Sequence, residues 1–159
     1  RPIVHDVKPM DPRIFRDDAM QLEETLLGIG LAERVSYDAD RNILFLNLEG
    51  LHVRTRDDVD RVRRVVEEKC HEIGHKVALV VNYDNFLIDA AVADTYAAMI
   101  RYMETHYYTT ASRYTTSAFL RIKLGEALAR RRVAAHIFET AEEAHAYVRA
   151  ETEGPGNAS

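Results

Sequence analysis

The stretch "KVALVVNYDNFLID", residues 76–89, decides the fold. Five apolar residues, Val77 to Val81, run without a polar break, and three of them are β-branched. A short run that is apolar on both faces suits a central strand of a parallel sheet, covered from both sides. The polar turn "NYDN" follows at once. A strand that leaves through a polar turn into a helix is one unit of an α/β fold, so the flanking segments should repeat the unit.

They do. Upstream, Thr55 with Asp58 three residues on makes a capping box. The helix it opens places Val59, Val62, Val66, Cys70 and Ile73 on one stripe, with Arg61, Arg63, Arg64, Glu67 and Glu68 off it. Downstream, a helix from about Ala90 to His106 carries Val92, Tyr96, Met99 and Met103. "YYTTASRYT" then alternates as a strand. "SAFLRIKLGEALARR" is a further helix with Leu120, Leu124 and Leu128 on one face, and "AAHIFE" is the last strand. Thr140 and Glu143 form a second capping box before "AEEAHAYVRA".

Before the first crossover, Val35 and Tyr37 alternate with polar residues, "DADRN" is turn-rich and "ILFLNL" is a buried strand. This makes a hairpin over residues 33–49, whose first strand must run antiparallel. The N-terminal sixteen residues hold three of the four prolines and read as an extended arm. A helix over "AMQLEETLLGIG" follows. The expectation is one α/β domain over residues 17–151, with an arm at 1–16 and a disordered tail at 152–159. Its sheet is mixed and mostly parallel, about five strands with the first antiparallel, packed by four to five helices.

Bulk properties limit function. The chain has 159 residues, 47% apolar, which suffices for a single core. A net charge of -5 argues against a dedicated nucleic-acid binder, whose domain is usually basic. No apolar run approaches the roughly 20 residues that span a bilayer, so no membrane partner is expected. No signal peptide is visible, and the expected location is cytoplasmic. One cysteine excludes an internal disulfide. The chain starts at Arg1 and not Met, so the expectation is either a processed chain or a segment of something longer.

Two polar junctions are candidate sites. Asn82, Asp84 and Asn85 lie at the exit of the central strand, where open α/β sheets gather ligands. They serve equally as an Asx-turn before the next helix, which Asp89 would cap. Thr116 and Ser117 lie at a helix N-terminus with Arg121 close by, a setting for an anion or simply an N-cap. A third pattern, His71-Glu72-Ile73-Gly74-His75, has the H-E-x-x-H form of a zinc protease. The apolar stripe stops at Ile73 and Gly74 stands where a helix ends, so His75 should leave the helix and the shared face is lost. No metal site is expected. Cys70 lies in the apolar stripe and reads as a buried thiol. No catalytic set is found.

The order of elements resembles the STAS fold of anti-sigma-factor antagonists. In those proteins a phosphorylatable serine follows the central strand, and "NYDNFLID" has none. A closer resemblance is to the C-terminal extension of bacterial acyl-CoA:acetate/3-ketoacid CoA-transferases. "VKPMDPRIF", "RVSYDADRNILFLNLEGL", "VVNYDNF" and "RYTTSAFLRIKLGEALARR" carry it, spread over residues 7–131. It implies a non-catalytic accessory domain for docking, oligomerisation or ligand sensing. The catalytic glutamate and the coenzyme A thioesters would belong to the parent enzyme, with no cofactor in this segment. The implied partners are the transferase core and a second copy of the chain. The alternative is a free-standing regulator of the anti-sigma-antagonist kind, phosphorylated at Thr115, Thr116 or Ser117.

Overall fold

The computed structural model describes residues 30–157. The chain divides into two units, Arg1–Glu33 and Arg34–Ser159, and the described sheet and α-helices belong to the second. The arm expected over 1–16 and, apart from Gly30, the helix expected over 19–30 lie outside the described residues.

The second unit is a mixed α/β fold with four helices. In chain order the elements are β1 (Val35–Asp38), β2 (Ile43–Asn47), β3 (His52–Val53), α1 (Arg56–Ile73), β4 (Val77–Asn82), β5 (Leu87–Ile88), α2 (Ala90–Tyr107), β6 (Tyr108–Tyr114), α3 (Ala118–Arg130), β7 (Ile137–Phe138) and α4 (Ala141–Asn157). Five strands form one sheet in the order β1-β2-β4-β6-β7. β1 is antiparallel to β2, with Val35 opposite Leu46, and every other pairing is parallel. β4 is central, as its apolar run requires, with Asn82 opposite Asn47 of β2 on one side and Tyr114 of β6 on the other.

The two-residue period of the strands sorts the core into two layers. Leu44, Leu46, Val77, Leu79 and Val81 point to the face covered by α1, α2 and α3. Ile43, Ala78 and Val80 point to the other, where Ala144 and Val148 of α4 cover them. The stripe read from the sequence of α1 is the buried one: Val59, Val62, Val66 and Cys70 are within 5% of full burial. Each buried valine contributes about 1.5–3 kcal/mol from the area it removes from water. Both expected capping boxes are present, Thr55 with Asp58 and Thr140 with Glu143.

Three features differ from the sequence reading. β3 and β5 pair as a separate two-stranded parallel ribbon, too short to leave a periodic signature. The buried face of α2 also includes Ala97 and Ile100, since a helix packed under two neighbours buries more than one stripe. α4 continues to Asn157, through most of the segment expected as a disordered tail.

Candidate functional site

The strands β2, β4 and β6 end together, and their exits meet at one edge of the sheet. In the turn after β4, Tyr83 and Phe86 point inward, 1% and 2% exposed, and their rings meet edge to face. Asp84 and Asn85 therefore point outward, and Asn85 takes the left-handed conformation the turn requires, at φ 57°. This division of the turn is why two polar residues stand between two aromatics in "NYDNF".

The outward side chains bond to one another. Asn82 Oδ1 accepts from the Asp84 amide at 2.9 Å, an Asx-turn. Asn82 Nδ2 donates to Asn47 Oδ1 and to Glu49 Oε1, both at 3.2 Å. Asp84 Oδ1 accepts from the Thr116 amide at 2.8 Å and from its hydroxyl at 3.3 Å. The Asp84 carbonyl accepts from Gly50 N at 3.0 Å. Arg34, only 4% exposed, donates through Nη1 to the carbonyls of Asn47 and Glu49. The three strand exits are thus laced into one frame.

The structure brings Asn82, Asp84 and Thr116 together and places the other expected site residues around them. Ser117 is the N-cap of α3, its Oγ accepting from Leu120 N at 3.1 Å. Arg121 Nη1 donates to the Thr115 carbonyl at 2.7 Å. Asn85 shapes the turn. Asp89 is the residue before α2, as expected, but its side chain makes no cap bond. Its carboxylate accepts instead from His52 Nε2 at 2.7 Å, because Arg54 Nε donates to His52 Nδ1 and leaves the ring proton on Nε2. Sequence reasoning missed Asn47 and Arg34, and reads Glu49 only as a lone glutamate at a strand end, not as a nucleophile. Asn47 was findable, since it leaves β2 as Asn82 leaves β4. Arg34 was not, because nothing local marks a buried arginine.

Beneath the edge, Arg113 of β6 is 1% exposed. It donates to Glu104 Oε2 at 3.1 Å and to the Ala135 carbonyl at 2.7 Å. Tyr83, Tyr96 and Tyr108 lie around it. Burial pushes all three phenols above their ordinary range, and the Arg113 charge pulls each partly back. The hydroxyls of Tyr83 and Tyr96 meet at 2.8 Å. A cavity of about 20 Å³ lies among these side chains, room for one water and not for a substrate.

The H-E-x-x-H residues are divided. α1 ends at Ile73, Gly74 turns left-handed at φ 86°, and its amide bonds the Cys70 carbonyl. His75 lies beyond the turn, donating from Nδ1 to the Lys76 carbonyl. His71 instead meets Tyr107 at 2.9 Å, and Tyr107 donates to Glu67 at 2.9 Å. Glu104, on α2, is held by Arg113. No three metal-ligating side chains converge among the described residues. Burial pushes the Cys70 thiol up to about 11, which leaves it protonated and unreactive at neutral pH. No helix among the described residues is long and apolar enough to cross a membrane.

Compared with family models, with curated proteins and with solved structures, the chain matches none.

Proposed function

We propose that the chain is a non-catalytic, STAS-like module, the C-terminal accessory domain of an acyl-CoA:acetate/3-ketoacid CoA-transferase-like enzyme. One observation carries this reading. At the sheet edge where an open α/β fold gathers ligands, the polar side chains are bonded to each other and to the main chain. Glu49, the glutamate at this edge, is tied through Oε1 to Asn82 as part of that frame. The four sequence stretches similar to the transferase extension support the same assignment, and the thioester chemistry then belongs to the parent enzyme.

The test is to incubate the purified chain with an acyl-CoA and acetate or acetoacetate. No transfer is expected from the chain alone. Binding to the separately prepared transferase core is expected. Turnover by the chain alone would overturn the reading.

A second reading, the free-standing phosphorylated regulator, is favoured by the exposure of Thr116. Thr115 is buried and Ser117 Oγ serves the helix cap, so Thr116 is the hydroxyl a kinase would reach. A phosphate there would face Asp84 and open the contact between them. A transferase reading frame fused directly before Arg1 would count against it.

A further inference from the structure

α3 has an outer face that the other described residues leave uncovered. Leu120, Leu124, Ala127 and Leu128 point inward. At 100° per residue, Ile122 points almost directly away from them, and it is 61% exposed. Phe119, one turn of the wheel to its side, is 72% exposed. Two large apolar side chains exposed within one turn of the same helix give this face apolar surface that a partner can cover.

Gly125 adds an independent argument. It sits in the middle of α3, where glycine costs roughly 0.5–1 kcal/mol relative to alanine. Its backbone is not left-handed, and a Cβ added there would meet nothing within 4 Å. Nothing among the described residues requires this glycine. A glycine on an open helix face lets another backbone approach closely.

The charges beside it name the occupant. Phe119, Lys123, Glu126 and Arg130 follow one another along the same flank, all exposed, at spacings of four, three and four residues. Laid antiparallel against a copy of itself, this flank is self-complementary. Lys123 meets the partner's Glu126, Glu126 meets the partner's Lys123, and each Phe119 ring lies under the partner's Arg130. In the single chain Lys123 Nζ already sits 5.8 Å from the Phe119 ring centre, so this ring accepts a cation. Ile122 then falls between the partner's Gly125 and Ala129, where small residues leave it room.

We propose that α3 is the contact of a two-fold symmetric homodimer, two copies packed antiparallel through this face. A two-fold contact uses the same patch on both subunits, so it needs such self-complementarity, which a foreign partner does not explain. The contact stands whether or not a transferase core docks elsewhere on the chain.

Sedimentation equilibrium of the whole chain tests it, over a concentration series and with four variants. The unmodified chain should be a dimer that dissociates on dilution. Lys123→Glu and Glu126→Lys should each raise the dissociation constant by roughly 10-fold or more, since each brings like charges together twice. The double variant Lys123→Glu/Glu126→Lys restores both pairs in reversed sense and should recover the dimer. Ile122→Glu should be a monomer. All these positions are exposed, so at concentrations low enough that every form is monomeric the melting curve by circular dichroism should remain that of the unmodified chain. A monomer at every concentration, a dimer indifferent to the single substitutions, or a double variant that fails to recover would each overturn the proposal.

Discussion

The C-terminal edge of the sheet and the outer face of α3 are adjacent in the chain: Ser117 closes the first and Ala118 opens the second. They are opposite in kind. At the edge, residues rich in chemical potential, two asparagines, an aspartate, a glutamate and a threonine, are bonded to one another. On α3, a phenylalanine and an isoleucine stand in solvent with no cover. Polar residues bonded to one another hold architecture together. Apolar residues without a neighbour call for one from outside. The informative surface of this domain is therefore the apolar one.

The comparison can be broken most severely at Arg113, beneath the edge. Arg113→Ala removes a fully buried side chain and leaves Glu104 and the Ala135 carbonyl without their donor. It should destabilise the fold by about 3–5 kcal/mol in urea unfolding. A loss under 1 kcal/mol would show that the interior polar group is dispensable. Asp84→Ala should cost about 1–3 kcal/mol and shift the amide resonance of Thr116, since a charged acceptor for two donors is lost.

The two central glycines sharpen the contrast with opposite signs. Gly74→Ala forces a side chain into the left-handed turn that ends α1, and should destabilise by about 1–2 kcal/mol in thermal melts. Gly125→Ala removes a helix-interior glycine into open space. It should stabilise the monomer by about 0.5–1 kcal/mol while loosening self-association in the same sedimentation experiment. Equal and destabilising effects at both sites would mean that Gly125 serves the fold and not a contact.

Much of this was legible in the sequence, for reasons that differ by residue. The valine stripe of α1, the apolar run of β4 and the two capping boxes are local patterns with one physical reading each. Asn82, Asp84 and Thr116 were legible as candidates because strand exits carry polar residues, but their mutual bonds were not. Thirty-two residues on, Thr116 meets Asp84 only because β4 and β6 lie side by side. Arg34 and Arg113 were illegible, since charged side chains read as surface until their partners are known. Phe119 and Ile122 failed to stand out for the converse reason. In the helix "SAFLRIKLGEALARR" apolar residues are so frequent that only the fold shows which of them face outward.

Hydrogen–deuterium exchange of the whole chain, followed across a dilution series, measures both regions at once. Amides of α3 around Ile122 and Gly125 should lose protection as the dimer dissociates. The amides of Gly50, Asp84 and Thr116, bonded within the edge, should keep theirs at every concentration. Protection that falls at the edge and stays constant on α3 would contradict the assignment of the closed region and the contact region alike.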